Sequence, residues 1–177
     1  RQEIIVPRKT VIELSKLLGE TDDPITIDIL ANQVRFSFGN IELTSKVIDG
    51  KFPDYNRVIP TAHSKIITLD RLLLLHTLQR AAILSNERFR GVRIGLHPGA
   101  LKIACTNNEQ EEAEEEIEVA YEGAAVDIGF NINYLLDALA TLSSNEITIA
   151  LQDSSASALF TVPGRTDFKY VVMPMRI

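Results

Sequence analysis

Val126-Asp127-Ile128-Gly129-Phe130-Asn131-Ile132-Asn133-Tyr134-Leu135-Leu136-Asp137-Ala138-Leu139-Ala140-Thr141-Leu142 is the stretch on which the reading of the fold turns. Its first five residues place apolar side chains at alternate positions, the pattern of a strand with one buried face. Leu135, Ala138, Leu139 and Leu142 then recur every three or four residues, the spacing of one buried helix face. Asn131 or Asn133 is the candidate N-cap, because a short side-chain oxygen can accept from the free amides of the first turn. Strands are expected next at Glu146–Leu151, Ala156–Val162 and Phe168–Met173, parted by turns at Asp153-Ser154 and Pro163-Gly164. The unit so described is β-α-β-β-β.

The same order of elements appears twice more upstream. The unit before it opens with Lys65–Ile67, takes Thr68 as candidate N-cap and runs as helix to about Leu84. Its strands are expected at Val92–Leu96, Leu101–Thr106 and Glu115–Tyr121, with His97-Pro98-Gly99 as the first turn. The earliest unit begins with the apolar Ile4–Val6 and with Pro7 at a helix start. Val11, Leu14 and Leu18 are expected on one buried face, and Gly19 suits a left-handed terminator. Runs at Ile25–Ile29, Gln33–Phe38 and Ile41–Val47 follow, with turns at Asn32 and Gly39-Asn40. A lone unit of this kind cannot bury both its helix face and its sheet face, so units should pair. Residues 61–177 then form one complete domain, and residues 1–60 form half of a preceding one. The fold class is α+β.

Composition narrows the function. The chain has 177 residues, room for one ordinary domain or one and a half small ones. No apolar run approaches the roughly 20 residues that span a bilayer, and no signal-peptide block follows Arg1-Gln2-Glu3, so no membrane role is expected. The missing initiator Met suggests a fragment. A single cysteine, Cys105, excludes an internal disulfide framework and fits a reducing, cytoplasmic compartment. Net charge is −6, yet seven of the 24 acidic residues lie between Glu109 and Glu118. Outside that window 18 basic residues face 17 acidic ones. With no Trp to stack on bases, contact with nucleic acid should be weak, electrostatic and indifferent to sequence.

No catalytic constellation is legible. His63, His76 and His97 lack metal-ligand spacing, no phosphate-binding glycine loop exists, and Cys105 falls in an apolar strand pattern. Consecutive glutamates read as a solvated face or an electrostatic docking strip, since a metal site needs carboxylates converging from several elements. No enzyme, cofactor or metal is expected.

Specific stretches then carry a resemblance. They are Val6-Pro7-Arg8-Lys9 leading into Val11-Ile12-Glu13-Leu14, Thr44-Ser45-Lys46, Asp49–Tyr55 and Arg57-Val58. The long block Arg80–Arg93, the run Asn108–Glu115, Ile128–Asn131 and the terminal Tyr170–Ile177 complete the set. Together they resemble the bacterial beta sliding clamp, the processivity subunit of DNA polymerase III, over essentially the whole chain. In that family three similar domains of two units each make a subunit, and two subunits close a ring with helices on the inner face and sheets outside.

The resemblance implies a homodimeric ring that encircles duplex DNA and tethers DNA polymerases, the clamp loader and repair proteins through a hydrophobic peptide cleft. The matching cleft positions are Pro53, Arg57, Val58, Phe89, Asn131, Tyr134, Val171, Val172, Met173, Pro174, Met175 and Arg176. Ser155 and Ile177 depart from the family's pattern there. DNA-facing basic positions are Arg8 and Lys9, with Lys16, Arg71 and Arg80 added by helical placement. The apolar patch Ile83 and Leu84, with Glu109, Glu111, Glu112, Glu114 and Glu115, matches the subunit interface. Two other functions compete: a free-standing peptide-binding adaptor of related fold, and an enzyme with a site near His97 or His63. An upstream half-subunit in the coding sequence would favour the clamp over the adaptor.

Overall fold

The computed structural model describes residues 2–19 and 24–176. It divides into two units, residues 1–54 and 55–177, so the break falls between Asp54 and Tyr55 rather than at the expected residue 60.

The second unit holds the paired repeat. A 3₁₀ turn at Tyr55–Arg57 precedes β4 (Lys65–Asp70), α2 (Arg71–Ala82), β5 (Gly91–His97), β6 (Ala100–Thr106) and β7 (Glu112–Glu118). The repeat then continues with β8 (Val126–Asn131), α3 (Ile132–Ala140), β9 (Glu146–Leu151), β10 (Ala158–Thr161) and β11 (Tyr170–Val172). Two four-stranded antiparallel sheets result, in the orders β7-β6-β5-β8 and β11-β10-β9-β4. Each repeat therefore lends its leading strand to the other's sheet: Ile67 faces Ile149 across β4–β9, and Ile94 faces Ile128 across β5–β8. The two helices pack on each other, and one apolar core takes side chains from both repeats. Leu135, Ala138, Leu139 and Leu142 are all buried, as their spacing predicts.

Local chemistry sets the helix starts. Asn131 caps α3, its side-chain oxygen accepting the Asn133 N–H at 3.0 Å. Asp70, not Thr68, caps α2, with its carboxylate accepting the Leu73 N–H at 2.7 Å. Thr68 lies inside β4, its hydroxyl 2.8 Å from that of Thr148. An ionised cap acceptor is the stronger one, and burying Leu69 favours carrying the strand two residues further. β10 starts later than expected because Asp153 organises the preceding turn. Its carboxylate accepts the Ser155 N–H at 2.8 Å, the Ser155 hydroxyl at 2.7 Å and the Ala156 N–H at 2.9 Å.

Arg71 overturns an expectation. The resemblance and its helical placement put it toward DNA, yet the residue is 9% exposed. Its Nε donates to the Ser144 carbonyl at 2.6 Å, and its Nη1 to the Leu139 carbonyl at 2.8 Å. Leu139 belongs to the last turn of α3, where carbonyls lack helical partners and a cation is favoured. The guanidinium thus ties the start of α2 to the end of α3 and has no reach to spare for a phosphate.

The first unit is built from α1 (Arg8–Leu17) and a three-stranded sheet of β1 (Thr26–Ile29), β2 (Gln33–Phe38) and β3 (Ile41–Lys46). Ile4–Val6 contributes only a bridge between Ile5 and Ile48 instead of a strand. Gly19 has φ +42°, the left-handed backbone its position predicts. Leu14 and Leu18 pack on Val34, Phe36 and Phe38. Val11 does not join them and is 52% exposed. Every residue of β1 is exposed, Ile27 and Ile29 included. This sheet is one strand short of the two in the second unit, and the missing place lies beside β1. No helix among the described residues is long and apolar enough to cross a membrane.

Arg71→Met keeps the buried stem but orphans two carbonyls, and should cost about 2–4 kcal/mol. Urea denaturation followed by circular dichroism checks this, with Arg71→Lys expected to fall between the two.

Candidate functional site

The carboxyl-terminal segment leaves the core at Val172, which is buried and faces Ala158, while Val171 is half-buried opposite Leu159. Met173 then turns out to solvent and is 65% exposed. Tyr134, in the first turn of α3, is 55% exposed. It lies close to Tyr170, whose hydroxyl is pushed up mainly by burial and further by Asp137 and Tyr134. Tyr134 on α3 and Met173 just past β11 are thus both large side chains held out to solvent. The side-chain oxygen of Asn131, another expected cleft residue, is committed to the α3 cap.

Phe89, Met175 and Arg176 belong to a different place. They border a cavity of about 490 Å³ on the outer face of β5, β6 and β7, together with Asn86, Gly91 and Arg93. Ala104, Thr106 and Glu112 complete its wall. Asn86 builds the approach, its side-chain oxygen accepting the N–H groups of Arg88 at 2.9 Å and Phe89 at 3.0 Å. Arg90 follows with φ +50°, a conformation unusual for a residue bearing Cβ. This turn holds the Phe89 ring out to solvent, with the Arg88 guanidinium 5.4 Å from its centroid. The tail is pinned where the Met175 N–H donates to the Gly129 carbonyl at 2.8 Å. Pro174 is half-buried between the two places. Arg57 and Val58 are exposed on the 3₁₀ turn, whereas Pro53 belongs to the first unit. Ser155 is exposed and tied to Asp153. Ile177 lies outside the described residues.

The acidic run does not form one surface. β7 alternates, so Glu112, Glu114 and Glu116 share one face, and Glu116 is 3.8 Å from Lys102. Glu115 points the other way and pairs with Arg80 on α2, at 2.7 and 2.9 Å. Glu111 closes the β6–β7 turn by accepting from the Asn107 amide at 2.7 Å, and Glu109 is in the same turn. Of the expected interface residues, Glu115 is therefore engaged within the chain. Of the expected DNA-facing residues, Arg80 is already neutralised. Ile83 is 80% exposed just past α2, and Leu84 is half-buried. On α1, Arg8 and Lys9 are exposed in the first turn and Lys16 pairs with Glu13 at 3.1 Å.

Burial pushes the Cys105 thiol up to about 11, which leaves it protonated and inert. Among the described residues no cluster of three or more His, Cys, Asp or Glu could hold a metal.

Strand-exchanged β-α-β-β-β units around a shared core, two four-stranded antiparallel sheets with the helices packed on each other, define the class of fold. Residues 56–176 match the C-terminal domain of the DNA polymerase III beta subunit, and residues 1–54 match its central domain. The beta sliding clamp of Pseudomonas putida is 47% identical over 177 residues, which are 100% of this chain and 48% of that protein. That of Escherichia coli K12 is 45% identical over 174 residues, 98% of this chain and 48% of that protein. The crystal structure of the Pseudomonas aeruginosa beta subunit superposes with a TM-score of 0.93 at 46% identity, over 99% of this chain and 48% of that one. The chain belongs to the DNA polymerase III beta subunit family, the bacterial sliding clamps. It spans about half the length of the curated relatives it matches.

Glu115 is held below the usual carboxylate range, chiefly by its hydrogen bond from Arg80. What the pair adds to stability is complete above the ordinary Glu range and fades as pH falls through the lowered value. In a carbon-detected NMR titration Glu115 should protonate late as acid is added. Arg80→Ala should return it to the ordinary range; an unchanged titration would mean the pair does not persist in solution.

Proposed function

We propose that the chain is the second half of a sliding-clamp subunit, with residues 1–54 ending the middle domain and residues 55–177 forming the last. The whole subunit would pair into a homodimeric ring in the cytoplasm, encircle duplex DNA and tether DNA polymerases, the clamp loader and repair proteins without catalysing a reaction. The observation that carries this reading is the exposed Tyr134 and Met173 beside a tail that the core anchors on both sides. A partner peptide that lays apolar side chains there gains burial without unfolding anything. Val171 and Pro174, with Arg57 and Val58, belong to the same reading as flanking positions.

Three further features support it. Arg8 and Lys9 occupy the first turn of α1, where the helix dipole disfavours cations and no acidic residue offsets them. A stability argument gives no reason for that placement, whereas a phosphate backbone nearby does. Ile83 with Leu84 just past α2, and the outward-facing Glu112 and Glu114 of β7, offer exposed apolar and acidic side chains to a partner subunit. The exposed apolar side chains of the first unit, Val11, Ile27 and Ile29 among them, are the surface that another repeat of the same kind would cover.

A peptide with a glutamine and downstream Leu and Phe anchors should bind this chain with micromolar affinity. Two buried anchors contribute roughly 3–6 kcal/mol of gross hydrophobic free energy, part of which is lost in ordering the peptide. Calorimetric titration should show Met173→Ala weakening binding roughly tenfold, about 1.4 kcal/mol. Deleting residues 173–177 should nearly abolish it while circular dichroism shows the fold retained. Unchanged affinity in the folded deletion variant would place docking elsewhere.

Duplex DNA should not retain the chain at physiological salt, because a few basic side chains on an open molecule give only weak contacts. Gel-shift titration over a salt series checks this. Tight, salt-resistant binding would replace encirclement with direct DNA binding.

A further inference from the structure

We propose that His97 and Asp127 bind one divalent transition-metal ion such as zinc, held over Gly95 on the outward face of β5 and β8. The ion staples together two strands that belong to different repeats.

Distance, partners and space single out this pair. The His97 Nε2 atom lies 3.8 Å from the Asp127 Oδ1 atom, too far for a hydrogen bond. Neither side chain has another partner among the described residues. The two converge where Gly95 carries no side chain of its own. A Cβ at residue 95 would stand 2.8 Å from the Asp127 oxygen and 2.9 Å from the His97 nitrogen. That point is therefore almost equally close to two lone-pair donors. An ion bonded to each at about 2.1 Å can bridge the 3.8 Å gap.

The backbone fixes the pair. Strand register sets Gly95 opposite Asp127, and His97 follows two residues later on the same face. His97 also pairs with Ala100 across the β5–β6 hairpin, whose Gly99 N–H donates to the Tyr121 carbonyl at 2.8 Å. The side chains of His97 and Asp127 are 36% and 61% exposed, so an ion can arrive and keep water in its remaining positions.

Donor chemistry selects the ion. An imidazole nitrogen with a carboxylate suits zinc, nickel or copper, whereas calcium and magnesium favour oxygen ligands throughout. Two cations share the face. Lys102 sits across Gly95 from Asp127 and is drawn to Glu116 on β7, 3.8 Å away. Arg93 lies on the far side of Gly95 from His97, opposite Gly129. Beyond Ala100 the row that starts at His97 ends in Glu118, an added negative charge. Because β5 and β8 come from different repeats, binding favours the strand-exchanged fold over the unfolded chain.

The test titrates zinc chloride into the intact chain, free of any histidine tag, by calorimetry. Excess magnesium is present throughout to occupy the glutamates of β7. One zinc per chain should bind, and His97→Ala and Asp127→Asn should each weaken it roughly tenfold or more. Gly95→Ala keeps both ligands but puts a methyl group between them. Only the mobile ends of those two side chains oppose it, so the fold should survive while zinc affinity falls. Zinc should raise the thermal midpoint of the unsubstituted chain and leave that of His97→Ala unchanged. In 15N spectra the imidazole of His97 should shift, and those of His63 and His76 should not. No zinc binding, or an affinity that survives His97→Ala or Gly95→Ala, overturns the site.

Discussion

The exchange of leading strands governs this molecule. β4 pairs with β9 and β8 with β5, so neither repeat of the second unit has a complete sheet without the other. Each leading strand also runs straight into its helix, Asp70 into Arg71 and Asn131 into Ile132, with no linker between. Moving one strand would therefore drag a helix and its buried face along with it. Arg71 reinforces the arrangement from the other side, because its guanidinium joins the start of α2 to the carbonyls of Leu139 and Ser144 at and beyond the end of α3. Cooperative folding of the second unit follows from this shared dependence. The first unit shows the converse. With no second repeat to lend a strand, β1 keeps an open edge and exposed isoleucines, and Ile4–Val6 makes only a single bridge.

A rigid scaffold of this kind allows the tail to be apolar without collapsing. Val172 is fixed by β10 and Met175 by Gly129, and the residues between them have little freedom to fold Met173 back into the core. Were a flexible peptide to dock there as proposed, the ordering entropy of the receiving surface would already have been spent during folding. The same anchors separate two environments: the exposed apolar side chain of Met173, and a hollow at Phe89 and Arg93. Residues that adjoin in the sequence, such as Met173 and Met175, thereby serve different surfaces.

Periodicity disclosed the repeat and the α3 stripe because both follow from local spacing, and the resemblance disclosed the family. Long-range partners were beyond it. Arg71 and Arg80 look alike as cations on one helix, yet one is buried against α3 carbonyls and the other meets Glu115 across the sheet. Only the crossing of α2 with α3 and with β7 distinguishes them. Val11 fits the spacing of a buried face, but a face is buried only where something covers it, and the three strands of the first unit reach Leu14 and Leu18 alone. Asn131 was legible as a cap and as a rim residue, and its oxygen serves the cap. The cavity beside Phe89 left no linear signal, since Arg93 and Ala104 become neighbours through strand pairing alone.

The glutamates of β7 carry the last step of this argument. β7 is an edge strand, and charged side chains on an edge keep it from pairing with stray strands. Edge protection needs only a few such charges, however, and here Glu112, Glu114 and Glu116 crowd one face at alternate positions, Glu116 alone of them paired, with Lys102, among the described residues. Like charges at that spacing repel, so the run costs stability beyond what protection requires. An arrangement held against its own electrostatics is accounted for if a basic surface neutralises it on assembly. Glu115, turned inward to Arg80, takes no part in that and instead fixes how the strand lies on α2. One run of like residues thus divides by strand alternation into a group that holds the fold and a group that faces outward.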